Sequence, residues 1–226
     1  MVTASQLDSI TTILKGQRLE QVAKALDTTC PLYGINTADI FHEFIANVLH
    51  ESLEFTILEE SLNYQAVALT KLFGRHRISV DDCYRYGRIR LKDGSIRPAN
   101  KVEIANIIYG GSWGKVNLGN INPMDGWVFR GAGPIQTTGR SNVAKFTNYY
   151  NTHFNSQHTP ESMATLLKTD IQIGVHSACW IFSIAKGPID EAVNDDMYGI
   201  VKKINGGYIG MAERLKYYEL AKKYIT

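Results

Sequence analysis

The chain has 226 residues, 44% apolar and 20% charged, with a formal net charge of +2. That is the balance of an ordinary soluble globular protein, long enough to bury a core and too nearly neutral to argue for nucleic acid as a partner. No apolar run approaches the ~20 residues that a membrane-spanning helix needs, so stable membrane insertion is not expected. The opening "MVTASQLDSITTILKG" lacks the basic-then-apolar order of a secretory signal, and three scattered cysteines (Cys30, Cys83, Cys179) read as reduced, buried thiols. Both features point to a protein made in a cytoplasm.

In chain order, "SQLDSITTILKG" and "QRLEQVAKALDTTC" predict two short amphipathic helices split by Gly16. "PLYGINT" is a turn, with Asn36 or Thr37 as the cap of the next helix and Asp39 in its first turn. That helix carries Phe41, Phe44, Ile45, Val48 and Leu49 at the spacing of one buried stripe, with Glu51 two turns after Phe44 and flanking it near the end. Tyr64 to Gly74 reads helical, with Gly74 as the stop, and Ser79 to Asp82 caps a further short helix. "RIRLKDGSIRP" alternates around Asp93-Gly94 and predicts a small hairpin. Lys101–Tyr109 reads helical. The glycine-rich, aromatic run from Gly110 to Asn142 reads as a loop region lining a groove. Helical patterns follow at Ser141–Tyr150, Ser162–Ile184, Ile189–Val201 and Met211–Ile225.

Several chemistries fail on spacing. "HEFIA" at His42 and "HESLE" at His50 both miss the second histidine of a zinc peptidase helix. "GAGPIQ" has Gln136 where a dinucleotide loop needs glycine, and no phosphate-binding loop is present. His176 and Cys179 lie one helical turn apart; two ligands make no metal site, and a buried core pair is the plainer account. Arg75 to Lys101 holds eight Lys/Arg against three Asp: a solvated face, or a surface for an anionic polymer.

The stretch "LHESLEFTILEESLNY" brings Glu51, Glu54, Glu59 and Glu60 together among apolar residues. Glycosidic cleavage needs one protonated carboxyl for the leaving oxygen and one ionised carboxyl to activate water, in different environments. Glu51 borders an apolar stripe, where desolvation disfavours charge. Glu59 and Glu60 stand where the chain turns polar, at Ser61 and Asn63. The bare pattern fits solvated surface glutamates equally well.

"HES", the glutamate of "ESLNY", "IANIIYGG", "DGWVFRGAGPIQTTGRSN" and "INGGYIGMAERLKYY" occur in one order. Together they resemble the family 19 glycoside hydrolases, the chitinase-like group, and within it the compact branch found among phage endolysins. The resemblance implies a mainly α, lysozyme-like bilobal domain with a small β or loop-rich lobe and a groove between lobes. It covers 36–226 of a single catalytic domain, with 1–35 as an N-terminal helical segment. It implies Glu51 as general acid and Glu60 as general base of an inverting reaction, with Glu59 as a rival base. Inverting geometry expects carboxyls ~6.5–9.5 Å apart. Thr138 would help hold the water, Gln136 and Asn142 would bind N-acetyl and hydroxyl groups, and Asn205 and Arg214 would belong to the distal groove wall. Arg214 would pair with a catalytic carboxylate. Asn63 and Tyr64 adjoin the base, and Tyr109 and Trp127 are candidate sugar platforms, all four being equally open to a packing role.

The sequence departs from the family at Leu53-Glu54 after "HES", at Ala132 in "RGAG" and at "TTGR". The expected activity is hydrolysis of β-1,4 bonds in bacterial peptidoglycan by a monomer that needs no cofactor. The alternatives are a chitinase acting on chitin oligomers, a non-catalytic carbohydrate-binding protein, and a wall amidase using Cys179 and His176.

Overall fold

The computed structural model describes residues 2–226. In chain order its helices are α1 (Ala4–Ile10), α2 (Gly16–Thr29), α3 (Ala38–Glu51), α4 (Ala66–Leu72), α5 (Val80–Tyr86), α6 (Lys101–Ile108) and α7 (Gly111–Leu118). There follow α8 (Asp125–Val128), α9 (Arg140–Phe154), α10 (Pro160–Thr169), α11 (Ile171–Trp180), α12 (Ile189–Val193), α13 (Met197–Asn205) and α14 (Met211–Tyr224). The sheet is a two-stranded antiparallel hairpin, β1 (Ile89–Arg90) and β2 (Ile96–Arg97), with Ile89 opposite Arg97. The mainly α class with a small β element is as expected. The chain divides into two compact units, neither continuous in sequence. One holds the residues up to Leu58, Gly133–Gln136 and Leu166–Thr226; the other holds Glu59–Ala132 and Thr137–Thr165.

The first unit is organised on α3. Thr37 caps it, its hydroxyl accepting the Ile40 N–H at 3.4 Å, and the whole expected stripe is fully buried. Phe44 meets Phe182 edge-on with ring centroids 5.2 Å apart, and α14 packs along α3. Helix α1 stops at Ile10, well before the expected break at Gly16. The reason is a competing acceptor: the Glu54 carboxylate takes the N–H groups of Thr12, Ile13 and Leu14 at 2.8, 2.6 and 3.1 Å, so these amides are not available to a helix.

Two helices read as continuous are broken. The expected Ser162–Ile184 helix is interrupted at Asp170, whose side chain accepts the Ile173 N–H and starts α11. Beyond Trp180 the chain widens into a π-helical turn, Ile181–Ala185. The expected Ile189–Val201 helix is divided at 194–196, and Asp196 caps α13 through the Gly199 N–H at 2.8 Å. In both, a short acidic side chain wins a backbone donor from the helical ladder.

The second unit has its own core of Leu62, Leu69, Ile78, Cys83, Ile104, Ala105 and Ile108. Helix α4 begins later than expected, because Tyr64 to Ala66 pair by backbone with Arg88: Arg88 N–H to Tyr64 C=O at 2.8 Å, Ala66 N–H to Arg88 C=O at 3.0 Å. Ser79 caps α5 as read from the sequence. The glycine-rich run is not a plain loop, since it contains α7 and α8. Its glycines serve close approach: a Cβ on Gly114 would sit 2.0 Å from the Tyr109 carbonyl oxygen, and one on Gly126 would sit 2.4 Å from that of Ala105.

Candidate active site

Glu51 is the last residue of α3. Immediately after it, Leu53, Glu54 and Phe55 have φ of 46°, 56° and 60°, three consecutive non-glycine residues in the left-handed region. Each costs on the order of 1 kcal/mol, so the surroundings must hold them. Arg18 donates to the Phe55 carbonyl at 3.0 and 2.6 Å, and Ser52 Oγ accepts the Phe55 N–H at 2.8 Å. Glu54, fully buried, accepts the three N–H groups named above and also the Tyr217 hydroxyl at 2.8 Å. The third carboxylate that departs from the family pattern is therefore a clamp between the N-terminal segment and the turn beside Glu51. Burial alone would raise its pKa, but the N–H of Ile13, the Tyr217 hydroxyl and the N–H groups of Leu14 and Thr12 outweigh it and bring the pKa below the usual value.

The Glu51 carboxylate is ion-paired with the guanidinium of Arg214, a side chain 1% exposed. A second arm of Arg214 donates to Asn47 Oδ1 at 2.6 Å, and Asn47 Nδ2 donates to the Glu43 carbonyl at 2.8 Å. Glu43, Asn47 and Glu51 fall at i, i+4 and i+8 on one face of α3, which is why one arginine of α14 reaches two of them. The nearest partner of Glu51 is thus a cation, where the sequence pattern suggested apolar walls. Below this pair Glu43 is fully buried with neither carboxylate oxygen hydrogen-bonded among the described residues, and its pKa is pushed up to about 8 by burial and then by Asp195, Asp196 and Asp39.

In the second unit, Glu60 accepts the Tyr109 hydroxyl at 2.9 and 2.8 Å on its two oxygens, and the Tyr64 hydroxyl at 3.1 Å. Burial, then the charge of Glu60, raises the Tyr64 pKa to about 12 and lifts Tyr109 well above the usual phenol range. Both therefore stay protonated at neutral pH as fixed donors. Glu59 is ion-paired with Arg130, which also stacks on Trp127, 3.6 Å from the ring centroid. Glu59, Glu60, Ser61, Lys101 and Trp127 line a cleft of about 270 Å³. Of the two candidate bases, Glu59 has a guanidinium on it, whereas Glu60 accepts tyrosine hydroxyls and feels the Arg77 charge without an ion pair among the described residues.

Tyr109, read as a sugar platform, spends its hydroxyl on Glu60, and one face of Trp127 is taken by Arg130. Glu60 N–H donates to the Gly131 carbonyl at 2.9 Å, and Ala132 and Thr137 exchange backbone hydrogen bonds at 3.2 and 2.7 Å, which ties the base segment to the "RGAG" and "TTGR" motifs. Asn142, exposed in the first turn of α9, donates from Nδ2 to the Thr138 carbonyl at 2.8 Å. "DGW" and "TTGR" are joined by Arg140, which donates to Asp125 at 2.8 and 2.7 Å. Gln136 lies in the first unit with φ 49°, its N–H and Nε2 both on the Gly133 carbonyl at 3.1 Å. Asn205 ends α13 and is exposed, and Asn63 is exposed with its N–H on Ser61 Oγ at 3.3 Å. So Glu51 and Arg214 are brought together in one unit, and Glu60, Tyr64, Tyr109 and Trp127 in the other.

The amidase alternative finds no support. Cys179 is fully buried, its thiol pKa raised by burial and facing Cys30 Sγ at 3.8 Å. The His176 pKa is lowered to about 4 by burial, its Nδ1 3.1 Å from the Tyr33 hydroxyl. Asn47 and Arg130 escaped the sequence reading. Asn47 had a signal, being one helical turn before Glu51 on its own face.

No family model matches the chain. A Haemophilus influenzae protein described as "Glycosyl hydrolase family 19 domain-containing protein" is 30% identical over 176 residues, 77% of this chain and 74% of that protein. The crystal structure of chitinase C from Streptomyces griseus HUT6037 matches in fold with a TM-score of 0.57, over 99% of this chain and 91% of that one, at 12% identity. The chain belongs to the family 19 glycoside hydrolases and is a glycosidase of the chitinase and lysozyme type, on the mainly α fold of that group.

Proposed function

We propose that the chain is an endolysin-type glycosidase that hydrolyses β-1,4 bonds between amino sugars of bacterial peptidoglycan, with inversion. Glu51 in its protonated form gives its proton to the leaving oxygen, and Arg214, its ion-pair partner once charged, stabilises the carboxylate so formed. Glu60 takes a proton from the water that attacks the anomeric carbon, and Tyr64 and Tyr109 hold its oxygens in place. Thr138 helps orient that water. Gln136, Asn142 and Asn205 take sugar N-acetyl and hydroxyl groups, with Asn63 and Trp127 beside the base. Two carboxylates and one water complete the reaction, and no cofactor enters.

The observation that carries this reading is a pair of placements: Arg214 on Glu51, where it holds the carboxylate that proton transfer leaves, and two tyrosine hydroxyl donors on Glu60. For peptidoglycan over neutral chitin the support is the basic segment, whose Lys101 lines the Glu60 cleft. The enzyme would be made in the cytoplasm, act on the cell wall as a monomer, and belong to the compact branch of its family.

Mass spectrometry of digested, purified peptidoglycan tests it. Fragments with new reducing ends are expected from the wild type and none from Glu51→Gln. Cleavage of chitin oligomers with intact peptidoglycan would leave the chitinase reading. Wild-type rates in Glu51→Gln would remove the acid assignment.

A further inference from the structure

The Glu60 unit carries a second, larger cleft at the hairpin, about 660 Å³ in volume, lined among others by Gln65, Val67, Tyr84, Arg88, Arg90 and Ile96. That volume is in the range of ligand sites. Its apolar lining is open to solvent: Val67 and Tyr84 are each 48% exposed and Ile96 58%. Arg85 lies over the Tyr86 ring, and the other five arginines of this segment fall into two groups. Arg75 donates to the carbonyls of Leu69, Thr70 and Phe73, Arg77 to that of Ile108, and Arg97 to those of Tyr84 and Gly87, so these three hold the fold. Arg88 and Arg90 have no side-chain acceptor among the described residues. Of the three Asp in the segment, Asp82 bonds the Ser79 hydroxyl and Asp93 bonds Ser95, and among the described residues none of the three is ion-paired with Arg88 or Arg90. The cleft therefore presents two uncompensated guanidinium groups beside an aromatic ring and two aliphatic side chains. Its wall is tied by backbone to the Glu60 segment, because Tyr64 and Ala66 pair with Arg88 and the Tyr64 hydroxyl donates to Glu60.

We propose that this cleft is an accessory subsite for the carboxylate-bearing peptide branches of peptidoglycan. Arg88 and Arg90 take branch carboxylates, in the planar two-point geometry that guanidinium groups favour, and Val67, Tyr84 and Ile96 take short alkyl side chains. A neutral glycan offers nothing for the two charges, and a phosphate polymer offers nothing for the apolar wall. The proposal rests on the peptidoglycan reading above.

Its test reads binding separately from cleavage. Glu51→Gln protein is co-sedimented with three preparations: purified walls, walls stripped of phosphate polymers by acid, and walls stripped of peptides by an amidase. Binding is expected to survive the acid and to fall on removal of the peptides. Adding Arg88→Gln and Arg90→Gln to the same protein should weaken binding to intact walls roughly three- to tenfold, with salt mimicking the loss. On the otherwise wild-type enzyme the same pair should leave hydrolysis of neutral chitin oligomers unchanged. Arg90→Glu, at an exposed position, replaces the pair if it melts early. Equal binding to peptide-stripped walls, loss on acid treatment instead, or an equal loss on neutral oligomers would each overturn the proposal. A wild-type enzyme that leaves walls uncut while peptide-dependent binding persists would overturn the peptidoglycanase reading alone.

Discussion

The hydroxyl of Tyr109 lies within 2.9 Å of both carboxylate oxygens of Glu60, 2.8 Å from one and 2.9 Å from the other. A ring that served only to stack on sugar would tolerate loss of its hydroxyl, whereas a donor on the base would not. Hydrogen bonds to charged groups are worth about 1.5–3 kcal/mol, so Tyr109→Phe should lower kcat/KM roughly ten- to a hundredfold. Tyr64→Phe, losing one bond at 3.1 Å, should cost less. Steady-state rates on a soluble oligomer decide it, and a wild-type rate in Tyr109→Phe would speak against Glu60 as base.

Arg214 is buried and serves Glu51 and Asn47 together. Arg214→Met keeps the volume but strands both partners, and breaking such a pair costs about 3–5 kcal/mol. Arg214→Lys keeps the charge but loses the forked geometry and should fall between wild type and Met in both stability and rate. Urea unfolding together with the rate on oligomers provides the check. Equal stability of all three proteins would mean that the pair does not hold α14 on α3.

Glu54 titrates below its usual value of 4.5 because its donors outweigh burial. A depressed folded pKa means stability that is present above 4.5 and lost as pH falls through the lower folded value. Glu54→Gln should therefore melt well below wild type at pH 7, with the gap narrowing in acid. A gap of the same size at pH 7 and pH 3 would show that the carboxylate's charge is not what clamps the N-terminal segment.

Glu43 has the opposite sign. Its folded pKa of about 8 stands above the usual 4.5, so the folded state holds a proton that the unfolded state has released. Stability should fall as pH rises from 4.5 to about 8, by at most about 1.4 kcal/mol per unit, and then level off. Glu43→Gln removes this slope and should melt higher than wild type at pH 8 while matching it near pH 4.5. Parallel pH profiles for the two proteins would exclude ionisation of this group.

Much of the arrangement was legible in the residues. The α3 stripe, the Thr37 and Ser79 caps and the hairpin around Asp93-Gly94 follow from local rules that need only near neighbours. The helix breaks at Asp170 and 194–196 were locally encoded too, in side chains able to cap, but apolar periodicity masked them. The early end of α1 was not legible, because Glu54, which stops it, is about forty residues away in sequence. The two helices inside the glycine-rich run are not legible, because glycine there carries the same composition as a loop. There it meets the need for two backbones to touch, which composition does not reveal.

By itself the sequence determined the family, the helical class and the set of glutamates, since ordered motifs and periodicity survive without coordinates. Only the tertiary structure decided what each glutamate meets: Arg214 on Glu51, tyrosine hydroxyls on Glu60, Arg130 on Glu59, backbone amides on Glu54 and, among the described residues, no hydrogen-bond donor on Glu43. The physical reason is that a carboxylate's chemistry is set by charges and donors within a few ångströms. In a folded chain those come from residues far along the sequence, whose arrival no local pattern records.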